Sequence, residues 1–320
     1  MLSVIIPTRN RADLLRLALK SLQSQTLSAD SFEVLVIDNG STDNTKQVSA
    51  SLQKQLGNVR YFFAPTPGLH VGRHLGMKMA KSDILVYADD DIEAFPTWLE
   101  GITEAFQDKD VVLVGGKNMP KFGAQPPPWI MQMWRENHHG HRIMGYLSIL
   151  DLGNNIMTID PSYVYGCNFS IRRFVLDETW GFHPDAMPDD MIQYRGDGES
   201  YVSRYIKKKG YKTVYYPKAS IYHLLPAARL TDTFFRKRSF LQGISDSYSC
   251  LRNGSHPSRY ALWRLMNWLR SPGFQWTSYL HARARCMANA YRSGFFLHQR
   301  EAYRDAALYR WIMKEHYLDE

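Results

Sequence analysis

Over its first hundred residues the chain alternates short, β-rich apolar runs with stretches of helical periodicity, and few architectures accept that rhythm. Residues 3–6 read as a strand, followed by a helix whose Leu15, Ala18, Leu19 and Leu22 share one face. Residues 33–37 are the next strand, and the next helix carries Val48, Leu52 and Leu56. The unit repeats with a strand at 59–63, a helix at 71–80 and a strand at 83–88. Such alternation predicts an α/β protein with a mostly parallel sheet covered by helices.

The fourth strand runs straight into Asp89-Asp90-Asp91. Adjacent carboxylates repel one another unless a cation or hydrogen-bond donors compensate, and carboxylate oxygens suit hard cations such as Mg²⁺ and Mn²⁺. The carboxyl edge of an open α/β sheet is also where ligands bind, because loops and helix N-termini converge there. A solvated acidic turn capping the next helix is the plainer alternative for an isolated triad.

Further along, a helix is expected over 97–106 and a strand over 111–114. Pro126-Pro127-Pro128 and the group His138, His139 and His141 mark a long irregular loop, read as acceptor-side rather than metal-binding. Strand character returns at 163–171 and at 219–223, and between them lies a helix at 199–209 that Gly210 ends as a C-cap. From Thr231 the pattern is helical, with Leu262, Leu265, Met266 and Leu269 on one face.

The net charge of +8 is confined to one part of the chain. Residues 1–228 hold 24 Lys+Arg against 24 Asp+Glu, whereas residues 229–320 hold 15 against 7. The expected division is therefore one domain over 1–228 and a helical, basic, aromatic-rich region over 229–320. Phe234, Phe235, Trp263, Trp268, Phe295 and Phe296 beside those cations suit an anionic membrane surface. No apolar run approaches the length that spans a bilayer, and Cys167, Cys250 and Cys286 form neither a disulfide framework nor a zinc pattern. A cytoplasmic protein, peripheral on the inner face of a membrane, is the expectation.

VIIPTRNR, VIDNGSTDNT, GLHVGRHLGMKMAKSDILVYADDD, GCNFSIRR, WGFHP and RGDGES, in that order, resemble the family 2 glycosyltransferases, which have the GT-A fold. The resemblance covers residues 2–226, about seven tenths of the chain. It implies an inverting, metal-dependent transfer of a sugar from a nucleotide diphosphate sugar, expected to be a UDP-sugar, to a hydroxyl of a glycan or lipid-linked acceptor. Pro7, Thr8 and Arg9 stand where the family's first strand meets the nucleotide, and Asp38 where an acid receives the base. Arg73 fits the basic position near the donor, with His74 in place of the usual Asn. In the acidic cluster the family pattern makes Asp89 the ribose or sugar contact and Asp91 the ligand of Mn²⁺ or Mg²⁺, with Asp90 between them on the donor-binding turn. His223 matches a late histidine that supplies a second metal ligand.

The same family carries an adjacent Glu-Asp pair at a helix N-terminus, where this chain has Gly196-Asp197-Gly198-Glu199. Asp197 and Glu199 are both candidates for the catalytic base; counting back from Gly210 favours Glu199 and leaves Asp197 to orient the acceptor. Asn168 is expected to touch a sugar hydroxyl and Trp180 to stack on the acceptor. The Gln-x-x-Arg-Trp motif of processive relatives is not evident, so a single transfer is expected.

Two other readings meet the same residues. A sugar-phosphate nucleotidylyltransferase needs a glycine-rich phosphate loop after the first strand, which PTRNR does not supply. A catalytically silent nucleotide-sugar-binding or scaffold protein would keep the binding residues without turnover. Nucleic acid is not an expected partner.

Overall fold

The computed structural model describes residues 1–254 and 278–318. The elements in chain order are β1 Leu2–Thr8, α1 Ala12–Leu22, β2 Phe32–Asp38, α2 Thr45–Leu56, β3 Val59–Phe63, α3 Leu69–Met79, β4 Ile84–Ala88, β5 Ile92–Ala94, α4 Trp98–Ala105, β6 Val111–Gly115 and β7 Asn118–Phe122. They continue as α5 Pro128–Met133, β8 Arg142–Met144, β9 Ile149–Asp151, β10 Met157–Thr158, β11 Asn168–Arg172, α6 Arg173–Thr179, α7 Glu199–Lys209, β12 Lys212–Tyr215 and β13 Ile221–Leu225. Three helices follow: α8 Asp232–Arg252, α9 Ser278–Arg304 and α10 Ala306–Ile312. The repeating leucines expected at 262–269, and Trp263 and Trp268, lie outside the described residues.

Eight strands form the main sheet in the order β10-β12-β6-β11-β4-β1-β2-β3. The β4-β1-β2-β3 half is parallel, as the βα rhythm requires, and β11 enters antiparallel to both β4 and β6. Alternate residues of a strand face opposite sides, and β1 shows why both faces must be covered. Val4 and Ile6 pack with Leu15, Leu19 and Val48 of α1 and α2, while Ile5 packs on the other side with Val71 and Met77 of α3. Each such apolar side chain, fully buried, contributes about 1.5–3 kcal/mol. Gly76 lets α3 lie against β1: a Cβ there would meet Ile5 Cγ2 at 2.3 Å.

The segment expected as a long irregular loop is ordered instead. It contributes β7, α5, β8 and β9, and with β5 and β13 these strands make a second, five-stranded sheet in the order β5-β13-β7-β9-β8. Its strands have three to five residues, too short for a clear period, and only β13 is legible, as the run at 219–223.

The boundary drawn at 228/229 from charge separates residues that the fold brings together. Leu230, Phe235 and Met287 share a core with Trp129, Ile130, Met144 and Leu147. The His74 ring lies between the two parts, with Nδ1 3.0 Å from the Tyr317 carbonyl oxygen and Nε2 accepting the Phe182 N–H at 2.8 Å. A carbonyl can only accept, so Nδ1 carries the proton, and the histidine that replaces the usual Asn is a tether for the C-terminal segment.

Candidate active site

Two backbone features assemble the acidic cluster. After β4 the chain turns through Asp89–Asp91 into β5, which pairs antiparallel with β13 so that His223 faces Ile92. The Leu224 N–H donates to the Asp91 carbonyl at 2.8 Å and holds this register. Residues more than 130 positions apart are thereby neighbours: one side-chain ligand atom from each of Asp89, Asp91 and His223 lies within 4.8 Å of the others.

Around the cluster stand cations and donors. Thr8 Oγ1 donates to Asp90 at 2.7 Å, and Arg11 spans the turn, with Nη1 2.5 Å from Asp90 and Nη2 2.6 Å from Asp91. Arg229 Nη2 adds a third contact to this turn, 2.7 Å from Asp91 Oδ2. Burial, reinforced by the Asp91 charge, pushes the Asp89 carboxyl up from the ordinary carboxylate range. Burial also pushes Asp90 up to about 7, although Arg11 opposes it. Burial works against ionisation of Asp91 as well, yet His223, Arg229 and Arg11 together hold it well below the usual range.

The donor set fits a divalent cation on two observations. Asp91 Oδ1 is buried and has no hydrogen-bond partner among the described residues. His223 Nδ1 lies 2.8 Å from the Leu147 carbonyl oxygen and so carries a proton, which leaves Nε2, 3.1 Å from Arg229 Nη1, as the ring atom turned to that same Asp91 oxygen at 3.4 Å. Asp89, given to the ribose by the resemblance, belongs spatially with these two.

Glu199 opens α7 and reaches toward the cluster from the opposite side. Its carboxylate accepts from Arg73 Nη1 at 3.1 Å and from the Gly166 N–H at 3.3 Å, and its side chain keeps 25% of its surface. Gly166 has to be glycine: a Cβ would meet Arg73 Nη2 at 2.4 Å and Glu199 Oε1 at 2.9 Å. Burial alone would discharge Arg73, but Glu199, Asp89 and Asp185 keep it charged.

Asp197 does not join this group. Its carboxylate faces away and is buried among three donors: His183 Nδ1 at 2.7 Å, Ser249 Oγ at 2.6 Å and the Arg204 guanidinium. These outweigh burial and depress it far below the ordinary range. It is buried, and its oxygens are engaged by donors inside the fold.

Several other expectations shift for the same kind of reason. Asn168 is buried inside the fold, donating to Asn118 and the Ala219 carbonyl at 3.1 and 2.9 Å and accepting from Trp98 Nε1 at 2.9 Å, so its amide is held mainly by protein partners. Trp180 is exposed but stacks on His316, with centroids 4.9 Å apart. The His138, His139 and His141 rings crowd a tight turn, and no metal grouping includes them among the described residues. Asp38, at the end of β2, accepts from Ser41 N–H and Tyr61 Oη at 2.8 and 2.7 Å. Pro7 packs on Gly72, and Arg9 points into solvent. Arg11 and Arg229 are the site residues that sequence reasoning missed. Arg11 stands inside the VIIPTRNR motif, whereas nothing local distinguishes Arg229 from the other arginines of the basic region.

Residues 3–180 match the family model described as Glycosyl transferase family 2. The chain belongs to that family. Among its curated relatives, validoxylamine A glucosyltransferase of Streptomyces hygroscopicus subsp. jinggangensis is 37% identical over 107 residues, 33% of this chain and 25% of that protein. Glycosyltransferase AglE of Haloferax volcanii is 33% identical over 115 residues, 36% of this chain and 38% of that protein. A GalNAc(5)-diNAcBac-PP-undecaprenol beta-1,3-glucosyltransferase of Campylobacter jejuni is 37% identical over 94 residues, 29% of this chain and 30% of that one. The matched stretches thus span a quarter to two fifths of these relatives. Among solved structures, a mannosyltransferase of Pyrobaculum calidifontis in complex with GDP-Man and Mn²⁺ superposes on 99% of this chain and 84% of its own, with a TM-score of 0.58 at 16% identity. The family 2 enzyme therefore has the expected GT-A architecture, extended by helices after β13. Among the described residues no helix is long and apolar enough to cross a membrane.

Proposed function

We propose that this chain transfers one glycosyl residue, with inversion, from a nucleotide diphosphate sugar to a hydroxyl of a glycan or lipid-linked acceptor. The observation that carries the proposal is the convergence of Asp89, Asp91 and His223, with one buried carboxylate oxygen unpartnered among the described residues, within electrostatic reach of the one-quarter-exposed carboxylate of Glu199. Asp91, His223 and Asp89 would hold Mn²⁺ or Mg²⁺, which as a Lewis acid neutralises charge on a departing diphosphate. Arg11 and Arg229 line the same place and supply further positive charge to the phosphates. Pro7, Thr8 and Arg9 at the end of β1, and Asp38 at the end of β2, form the nucleotide side; Asp38 keeps spare lone pairs to accept an imide N–H of uracil.

Glu199 is the base in this proposal. Its carboxylate takes the proton of the acceptor hydroxyl as that oxygen bonds to the anomeric carbon and the bond to the diphosphate breaks. Arg73 and the Gly166 N–H fix its rotamer without burying it. A UDP-sugar is the donor we favour; the GDP-Man complex of the Pyrobaculum enzyme makes a GDP-sugar the other arm of the test. Release of UDP or GDP from a panel of nucleotide sugars, with Mn²⁺ or Mg²⁺ and then with EDTA, is the deciding measurement. Metal-dependent release supports transfer, whereas nucleotide binding without release supports the silent scaffold.

An anionic membrane surface is retained as a proposed partner on narrower grounds. Phe235 and Phe295 are buried in the protein, leaving Phe296 with 52% exposure beside the cations of α8 and α9. Co-sedimentation with anionic vesicles at low and high salt tests it, and no pelleting at either salt removes it.

A further inference from the structure

Around Glu199 each arginine but one is held by an acid in an ion pair among the described residues. Arg11 and Arg229 are held by Asp90 and Asp91, and Arg73 by Glu199. Arg195 Nη2 sits 2.5 Å from Asp185 and its Nε donates to Ser245 of α8 at 3.0 Å. Arg238, also on α8, makes no hydrogen bond or ion pair among the described residues, although it is half-buried. It lies within electrostatic reach of Arg195, Asp185, Glu199 and Tyr146. Three guanidinium groups, Arg73, Arg195 and Arg238, thus gather around Glu199 and Asp185, and Arg238 is the one that neither carboxylate bonds.

The position of the unbonded guanidinium follows from the path of α8. Its entry segment places Arg229 on the metal cluster, and its far end places Ser249 on Asp197. Arg238 lies between these points. Its helix neighbour Ser239 donates to the Phe235 carbonyl at 2.8 Å and lies 3.3 Å from the Tyr146 hydroxyl, and the Tyr146 ring stacks on Phe235. Arg238 is thus within electrostatic reach of Glu199, so a charged group of an acceptor seated at the base proposed above would meet it. Burial and the like charge of Arg195 both work against ionisation of Arg238, so the arrangement is costly while the site holds no anion. A planar guanidinium with five unused donors recognises oxyanions through paired hydrogen bonds.

We infer that Arg238 binds an oxyanion, a phosphate or a carboxylate, carried by the acceptor, so that this enzyme glycosylates an anionic rather than a neutral acceptor. The inference rests on the donor and base assignments proposed above and adds the chemical class of the acceptor to them.

The test uses the whole chain saturated with Mg²⁺ and UDP or GDP, titrated calorimetrically with sn-glycerol 3-phosphate and with glucuronate, and with glycerol and glucose as neutral controls. One or both anions should bind and the neutral controls should not; the anion that binds tells phosphate from carboxylate. Arg238→Met should weaken anion binding by about 10- to 100-fold, the range for losing a charge-assisted contact. Arg238→Lys, which keeps the charge and loses the fork, should retain part of it and guards against misfolding of the first variant. Undiminished anion binding by Arg238→Met overturns the inference. So does a loss of nucleotide affinity in its place, which would put Arg238 on the donor. Wild-type protein that binds neither UDP nor GDP defeats the donor reading, whereas nucleotide binding without any preference for anions defeats this inference alone.

Discussion

The turn at Asp89–Asp91 and the turn at Gly196–Glu199 both gather acids at the mouth of one cleft, and they hold them in opposite ways. The first has partly exposed partners: Arg11 is one-third exposed, Arg229 one-quarter, and one oxygen of Asp91 has no hydrogen-bond partner among the described residues. In the function proposed above, these charges exchange with a cation and a diphosphate. The second divides its acids by one glycine. Gly198 takes φ +51, and a Cβ there would meet Asp185 Oδ2 at 2.8 Å. That kink sends Glu199 toward Arg73 and the cleft and Asp197 into a permanent network with His183, Arg204 and Ser249. Acids two residues apart are thereby given a chemical and a structural task.

Removing Asp91 should produce the largest defect. Asp91→Ala is expected to lower metal-dependent nucleotide-sugar turnover by about 10³-fold or more, because charge on the leaving group then goes uncompensated. Activity that survives the substitution and excess EDTA would falsify the assignment of this turn to the metal. His223→Ala leaves both carboxylates in place and should raise the Mn²⁺ concentration for half-maximal effect by about 10- to 100-fold. An unchanged Mn²⁺ titration would return His223 to a packing role.

Glu199→Gln preserves shape and most hydrogen bonding but cannot take a proton, so kcat should fall by about 10² to 10⁴-fold with nucleotide affinity nearly unchanged. Asp197→Asn should leave kcat within a few-fold of the parent. Were the order of these two defects reversed, the division of tasks between the turns would be wrong.

How far these tasks could be read in the sequence depended on the distance over which each is specified. The β1 to β4 strands and α1 announce themselves because side-chain period is a local property, and the face Leu15, Ala18, Leu19 and Leu22 is the one α1 buries. Glu199 could be found by counting back from the C-cap Gly210, a distance fixed by the helix between them. Asp197 could not be separated from it, because the residues that claim it, Ser249 and His183, are not its sequence neighbours. Arg229 and the β5-β13 register that brings His223 to Asp91 are likewise products of tertiary pairing. The charge partition was real, but charge does not report packing: Phe235 and Tyr248 of the basic region are core residues.

The structural side of the comparison has its own signature in stability. Asp197 is depressed in the folded state, so its contribution is fully present above the unfolded carboxyl value of about 4 and is lost as pH falls toward its folded value. Asp197→Asn should therefore cost about 2–4 kcal/mol at neutral pH and flatten the acid limb of a stability curve measured by urea unfolding. A parent and variant with parallel acid limbs would show that the network does not depend on the Asp197 charge.

The smallest effect distinguishes a brace from a switch. Ser249 sits on α8, far in sequence from the base, and donates one hydrogen bond to Asp197 while His183 and Arg204 hold the rest. Ser249→Ala removes that one donor without leaving an uncompensated charge, so unfolding free energy should drop by about 1–2 kcal/mol. If the network only braces the fold, kcat and its pH profile should stay as in the parent, because Glu199 is oriented independently by Arg73 and the Gly166 N–H. If α8 instead sets the angle of α7, the same substitution should lower kcat about as much as it lowers stability, with nucleotide affinity unchanged. Parallel measurement of kcat, its pH dependence and urea unfolding on Ser249→Ala decides between them, and a kcat loss without a stability loss would place Ser249 on the acceptor path rather than in the brace.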